Sequence, residues 1–288
     1  MTALSHPLPL EYRRQIPAGP IFGKVNHVLE EEKLNTICVS GKCPNRGECF
    51  SRGSLAFMIL GDTCTRHCGF CAVKAGNPGG LVDTDEPARL ARATAELNLK
   101  HVVVTAVARD DLKDGGAGIF AACIRSIRAT SPSTIIEVLT SDFLGDLSAV
   151  DTVLQAQPDI FNHNLETVEG LTPKVRSKAT YRRSLEVLRH AHNAGLKTKS
   201  GIMLGLGETQ EEILQALTDL RAAGCAYLTM GQYLQPSAKH LEIQYFVPVE
   251  DFHFWRAKAY DLGFERVASG PLVRSSYFAD ALHTQEIT

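Results

Sequence analysis

Six of the eight cysteines in this sequence crowd into one stretch, from Cys38 to Cys71, and they fall into two triplets. Cys64, Cys68 and Cys71 follow a C-x3-C-x2-C spacing, and Cys38, Cys43 and Cys49 follow C-x4-C-x5-C. In a chain expected to work in a reducing compartment, thiols gathered this closely point to metal or redox chemistry rather than disulfides. The compact downstream triplet can wrap one corner of an iron–sulfur cubane, and three thiolates leave one of its irons without a protein ligand. Such an iron can chelate the amino and carboxylate groups of S-adenosylmethionine. Electron transfer into the sulfonium then breaks a C–S bond and gives a 5′-deoxyadenosyl radical. Zinc is the alternative, but it wants four ligands, would need His67 or a distant residue, and favours spaced C-x2-C pairs. The upstream triplet is a second incomplete set, either another cluster or a structural metal knot that pins the N-terminal loop. Sharing one cluster is disfavoured, since six thiolates exceed its four irons.

These cysteines need a scaffold, and the rest of the chain supplies a regular one. Short apolar runs at Leu55–Leu60, His101–Val107, Thr134–Leu139, Asp159–Leu165, Lys197–Leu204 and Tyr227–Tyr233 read as strands. Helical patterns separate them near Pro87–Leu97, Ala117–Ala129, Leu147–Gln155, Tyr181–Ala194 and Thr209–Ala223. The last has Thr209 and Glu212 in capping-box spacing and Gly224 as its stop. Strands alternating with single helices imply βαβ units and a parallel sheet, either a partial barrel or an open doubly wound sheet. Residues 1–33 read as a Pro-rich, then polar, extension, and 34–53 as a loop shaped by whatever it binds. A helix near Val249–Leu262 and an extended segment, Phe264–Tyr277, complete the chain. The expected division is 1–53 as an N-terminal extension with the first triplet, 54–235 as the βα body and 236–288 as a C-terminal extension.

The segment Cys64-Thr-Arg-His-Cys68-Gly-Phe70-Cys71, just after the first strand, resembles the signature of the radical S-adenosylmethionine superfamily. That resemblance implies a partial (β/α)6 barrel and chooses it over the doubly wound sheet. The upstream spacing, in this order, resembles the auxiliary-cluster motif of the lipoyl synthase family. The family likeness implies two 4Fe–4S clusters, the auxiliary one consumed as the sulfur source and held at its fourth iron by a serine near the C-terminus. Arg274-Ser275-Ser276-Tyr277 matches that element. Ser276 is the favoured ligand and Ser275 the alternative, on the expectation that neighbouring residues of an extended strand face opposite ways. The bland reading of this motif is that it closes the barrel with both hydroxyls bonded to backbone.

Further cofactor contacts are expected where strands end. Gly201-Ile-Met-Leu-Gly205-Leu-Gly-Glu208 resembles the superfamily's G-x-I-x-G-x-x-E element near the adenine. Thr105-Ala-Val-Ala-Arg109-Asp-Asp-Leu-Lys-Asp114-Gly-Gly-Ala resembles a family stretch, departing from it at Ala106 where Ser is usual. Glu137, Asn162, Asn164 and Glu166 are polar residues on otherwise apolar strands and need partners if buried. The cofactor's ribose and amino-acid groups would serve, and so would hydrogen bonds between strands. Arg176, Lys197 and Lys199 are further candidates for carboxylate or peptide. Cys123, Cys225, His101, His163 and His192 have no chemical constellation around them in sequence and read as structural.

The resemblance implies radical insertion of sulfur at carbons 6 and 8 of a protein-bound octanoyl-lysine. The partners it implies are an octanoylated lipoyl domain or glycine-cleavage H protein, with flavodoxin or ferredoxin as electron donor. A formal net charge of −2 gives no sign of a nucleic-acid partner. No apolar run approaches the ~20 residues that span a bilayer, and Met1–Pro20 has no apolar core of an export signal, so a cytoplasmic or organellar-matrix location is expected. Two rivals remain: a biotin-synthase-like sulfur inserter acting on a free small molecule, against which the first triplet and the double serine speak, and a non-enzymatic iron–sulfur carrier or zinc-stabilised module, which leaves a six-unit βα body unexplained.

Overall fold

The computed structural model describes Tyr12 and residues 19–284. The remaining N-terminal residues, including most of the expected Pro-rich stretch, and residues 285–288 lie outside the described residues. In chain order the elements begin with α1 (Pro20–Glu31), β1 (Asn35–Thr36), α2 (Ile37–Ser40) and α3 (Arg46–Ser51). The body follows: β2 (Ala56–Ile59), β3 (Thr63–Cys64), β4 (Lys74–Ala75), α4 (Glu86–Glu96), β5 (His101–Ala106), α5 (Ala117–Thr130), β6 (Ile135–Leu139), α6 (Leu147–Leu154) and β7 (Ile160–Asn162). Next come α7 (Thr172–Val175), α8 (Tyr181–Asn193), β8 (Lys197–Leu204), α9 (Gln210–Ala222) and β9 (Tyr227–Gln232). The C-terminal part adds α10 (Val249–Asp261), β10 (Arg266–Gly270) and α11 (Ala279–Thr284).

One eight-stranded sheet runs in the order β1-β2-β5-β6-β7-β8-β9-β10. Only β1 is antiparallel to its neighbour, and every other pairing is parallel. From β2 to β9, spatial order follows chain order with a helical crossover between neighbours, the arrangement of a partial (β/α)6 barrel. Apolar side chains on the outer faces, such as Val102, Val104, Ile136 and Phe161, are buried against the surrounding helices. A second apolar cluster joins Leu228 and Met230 of β9 to α9 and α10 through Leu217, Leu220, Phe252 and Trp255. The capping box at Thr209 and Glu212 is formed on both sides, and Gly224 follows α9 at φ +85°. Cys123 and Cys225 are fully buried within this framework.

Three expectations are corrected. Residues 20–31 form a helix where a polar stretch was expected. Val25, Val28 and Leu29 share its buried face, and the following run of glutamates hides that spacing in the sequence. Residues 34–53 hold a short strand and two short helices rather than a loop shaped only by what it binds. The extended segment Phe264–Tyr277 is strand only over Arg266–Gly270, because Pro271 cannot donate to the ladder and the chain turns there. Ser275 and Ser276 therefore sit in a turn, where strand alternation does not assign their directions.

Candidate active site

Barrel strands end on a common rim, and here that rim encloses a cavity of about 520 Å³. Cys64, Cys68 and Cys71 line it, as do Cys38 and Cys43, Ser275 and Ser276. Cys49 lies behind this lining and is buried. The two triplets, 26 residues apart in chain numbering at their first cysteines (64 − 38), thus meet over one space.

The downstream triplet begins at the last residue of β3 and continues along the loop that leads to its short partner strand β4. Arg66, inside the loop, is buried and makes ion pairs with two carboxylates. Its Nε and Nη2 reach Asp110 at 2.8–3.1 Å, and its Nη1 lies 2.7 Å from Asp142 Oδ1. Asp142 is fully buried and also meets Arg183 at 3.1 Å, while Lys178 pairs with Asp110 at 3.2 Å. Burial would push both carboxyls up, but Arg66 more than offsets it and holds them below the usual carboxylate range. Backbone contacts complete the anchorage: Gly69 N–H donates to Val175 O, Leu241 N–H to Gly69 O, and His240 Nε2 lies 3.0 Å from Cys71 O.

The upstream triplet is carried by α2, α3 and the turn between them. Burial raises the Cys38 thiol to about 11, with Cys43 adding to the effect, and raises Cys49 further still. In the other triplet burial raises Cys64, and burial together with Cys68 and Cys64 raises Cys71 to about 12. Cys64, Cys68 and Cys71 face the cavity together with Cys38 and Cys43, while Cys49 is set behind them on α3. A coordinating thiol is deprotonated by its metal, which supplies what burial withholds.

The cavity floor is polar. Asn164 Nδ2 donates to Ser275 Oγ at 2.6 Å and to Glu166 Oε1 at 3.2 Å. Among the described residues, Asn164 Oδ1 and Thr140 Oγ1 are buried without a hydrogen-bond partner. Both residues line the cavity, and unpaired acceptors there suit a ligand rich in amine and hydroxyl donors. A Cβ at Gly201 would stand 2.6 Å from Thr229 Oγ1, 3.0 Å from Asn164 Oδ1 and 3.2 Å from Ser275 Oγ, so only glycine keeps this polar cradle open. His163 is held neutral: burial, with Arg176 nearby, lowers it to about 4, and its two nitrogens meet Thr140 O and Ser184 Oγ. Three gathered thiols on each loop and a polar floor between them fit two iron–sulfur clusters and S-adenosylmethionine.

Comparison with known proteins agrees with this geometry. Residues 58–220 match the family model of the Radical SAM superfamily. A lipoyl synthase of Thermus thermophilus is 53% identical over 275 residues, covering 94% of this chain and 85% of that protein. A mitochondrial lipoyl synthase of Nematostella vectensis is 48% identical, covering 95% and 94%. The chain belongs to the lipoyl synthase family. Its fold is shared more widely. Methylornithine synthase superposes with a TM-score of 0.58 at 13% identity, over 77% of this chain and 75% of that one. The FeFe-hydrogenase maturase from Carboxydothermus hydrogenoformans gives 0.55 at 14%, over 90% and 67%. At such identities the likeness is one of fold.

For a lipoyl synthase family member, the cavity gathers some of the expected contacts and excludes others. Phe70, Thr105, Asn164, Glu166, Arg176 and Gly201 line it. Arg109, Glu137, Gly205 and Glu208 do not, and each has a local partner that explains why. Arg109 is turned onto Asp111 by two 2.8 Å bonds and reaches Leu60 O. Glu137 lies one layer down the barrel, paired with Lys199 at 2.9 and 3.0 Å and accepting from Asn162 Nδ2. Burial raises that carboxyl, but Lys199 and His101 outweigh it and hold it at about 2. Gly205 has φ +94° beneath Gln232, and Glu208 is used locally, accepting from the Gly205 and Leu206 amides and from Tyr245 Oη. Lys197 is on the surface with Glu265. The anchors Arg66, Asp110 and Asp142 escaped sequence analysis. Arg66 between two cysteines and a second Asp beside Arg109 were the available signals.

Proposed function

We propose that this chain is a sulfurtransferase that inserts two sulfur atoms, at carbons 6 and 8 of a protein-bound octanoyl-lysine, to form the lipoyl group. The observation that carries this reading is the meeting of both thiol triplets and the double serine over one cavity. When bound, one cluster with S-adenosylmethionine supplies the hydrogen-abstracting radical, and the other cluster supplies sulfur. In this scheme Cys64, Cys68 and Cys71 hold the first group, and Cys38, Cys43 and Cys49 hold the second. Arg66 fixes the downstream loop through Asp110 and Asp142, so its thiols keep one geometry through repeated turnover. Asn164, Thr140 and the open face at Gly201 receive the polar parts of the cofactor, and the apolar lining of Ile37, Pro44, Met203, Leu234 and Ile243 receives the acyl chain.

Ser276 is the serine we assign to the auxiliary site. Ser275 Oγ is taken up by Asn164 at 2.6 Å, on the S-adenosylmethionine side of the cavity. Residues 1–53 carry the auxiliary cysteines, 54–235 the radical chemistry and 236–288 the serine that joins them. Partners of matching chemistry are an octanoylated lipoyl domain or glycine-cleavage H protein, and a flavodoxin or ferredoxin as electron source. Free thiols in such number suit a reducing cytosol or organellar matrix. Among the described residues no helix is long and apolar enough to cross a membrane. The test is anaerobic reconstitution followed by assay on an octanoyl-lysyl peptide. About eight irons per chain and a lipoyl product are expected; a single cluster, zinc, or deoxyadenosine without sulfur insertion would overturn the proposal.

A further inference from the structure

A serine that must meet three cysteines from the far end of the chain needs something to hold it there. Helix α3 supplies a face for that purpose. Asn45, Glu48 and Arg52 are spaced i, i+3, i+7 at and around this helix, so they project from one side. Each touches the chain that brackets the double serine. Asn45 is buried, and its Nδ2 donates to Leu272 O at 2.6 Å. Tyr277 Oη, next to Ser276, donates to Glu48 Oε2 at 3.2 Å. The Arg52 guanidinium stands 4.2 Å from the centre of the Phe278 ring. Two of these residues, Asn45 and Glu48, lie between Cys43 and Cys49 and so move with the thiols themselves.

We propose that Asn45, Glu48 and Tyr277 are positioning residues that clasp the Ser275–Ser276 turn against the first triplet and so set the strength of its serine ligand. This rests on the assignment of a serine to that cluster. An alkoxide is a poor match for iron beside sulfide and thiolate, so its occupancy depends on how firmly the backbone presents it. Asn45 fixes the turn before the serines and Tyr277 fixes it after them. With both ends held, Ser276 loses little freedom on binding metal; with one end released, the same bond must order the segment as well. The Asn45 amide has one sensible orientation, because only its NH2 can bond the Leu272 carbonyl.

The test uses full-length chains in which Cys64, Cys68 and Cys71 are Ala, so that only the first cluster is loaded. Iron loss to a chelator is followed for Tyr277→Phe, Glu48→Ala, Glu48→Gln, Asn45→Ala, Ser275→Ala, Ser276→Ala and the double serine variant. Hydrogen exchange over 272–278 is measured in the metal-free chains. Removing the Asn45 donor is expected to speed both iron loss and exchange about three- to ten-fold, the range of one neutral hydrogen bond, and removing the tyrosine hydroxyl or the Glu48 carboxylate about ten-fold or more. Glu48→Gln still accepts from Tyr277 and is expected to restore the parent rates. Tyr277→Phe added to Glu48→Ala should change the rates by less than the product of the two single effects. If a serine variant loses iron quickly while Tyr277→Phe, Glu48→Ala and Asn45→Ala hold it like the parent, the clasp is wrong and the serine stands. If neither single serine variant nor the double alters iron loss, the serine assignment falls and the clasp falls with it.

Discussion

The two cysteine loops face one cavity but are held by different forces. Downstream, Arg66 is locked between Asp110 and Asp142 with nearly all of its side chain out of water, an anchorage of full charges that needs no metal. Upstream, the loop leans on an amide bonded to a carbonyl, a carboxylate that accepts from a phenol and an arginine over a ring, single contacts without an ion pair that all reach a segment from the other end of the chain. Charged pairs at low exposure hold one geometry tightly and cost several kcal/mol to break. Isolated hydrogen bonds contribute about 1 kcal/mol each, up to about 3 where one partner is charged, and can be released one at a time. A site that cleaves cofactor repeatedly gains from the first kind of anchorage. A site whose cluster is consumed and rebuilt gains from the second, because its ligand set must open.

The sharpest way to break this contrast is to delete each set of thiols. Replacing Cys64, Cys68 and Cys71 together with Ala is expected to abolish 5′-deoxyadenosine formation. The matching replacement of Cys38, Cys43 and Cys49 should spare cofactor cleavage and stop sulfur insertion. Product analysis by mass spectrometry separates the two, and lipoyl product from the upstream triple variant would sink the division of labour. Ser276→Ala should follow the upstream pattern in milder form: cleavage and folding persist while lipoyl yield falls. Should Ser275→Ala give that result instead, the two hydroxyls exchange roles and the bond from Asn164 to Ser275 is not the sorting contact.

A smaller effect is expected on the downstream anchor. Asp142→Ala strips a buried carboxylate from Arg66 and Arg183, a loss on the order of 3–5 kcal/mol, nearer the lower end because Arg66 keeps Asp110. The denaturation midpoint and the deoxyadenosine rate should both drop, with iron binding at the upstream triplet unchanged. Asp142→Asn preserves shape and should recover part of the stability but less of the rate. Full cleavage activity in Asp142→Ala would show that Asp110 and the backbone contacts hold the loop without Asp142.

How much of this was legible in advance divides along the same line. Strand β8 was read to the residue, and the capping box of α9 was read from Thr209 and Glu212, because spacing within one element encodes both. Contacts between elements are not encoded that way. Glu137 and Lys199 each read as polar residues on an apolar strand. Only the register of the barrel brings them to 2.9 Å and turns a candidate cofactor contact into an internal ion pair. Arg109 and Glu208 sit where strand ends meet the site in this fold, yet Asp111 and the Gly205–Leu206 amides claim them locally. Resemblance located the thiols; it carried no information on Arg66 or Asn45, whose partners are distant in sequence.

The least drastic test leaves the sequence alone and changes pH. Burial raises Cys38 and Cys49 of one triplet and Cys64 and Cys71 of the other in the metal-free fold, Cys38 to about 11 and Cys71 to about 12, above the range of an unfolded cysteine near 8.5. The folded chain therefore holds these protons more tightly than the unfolded one. The associated stability is fully present below about pH 8.5 and declines as pH rises beyond it, because the unfolded chain ionises first. Metal loading runs the opposite way. Each thiol that coordinates must give up its proton, so the cysteines release about six protons per chain when both triplets fill, in addition to one from a serine alkoxide and those of the hydrosulfide built into the clusters. Metal-free protein should accordingly lose thermal stability between pH 8.5 and 10, while the rate of cluster assembly climbs over pH 7 to 8.5. Proton release measured in weakly buffered solution during assembly separates the two loops: the count should fall in either triple-Cys variant, by about three thiol protons together with those of the cluster that no longer forms. A count unchanged by deleting one triplet would mean that its thiols take no part in binding metal, and the comparison between the loops would have to be redrawn.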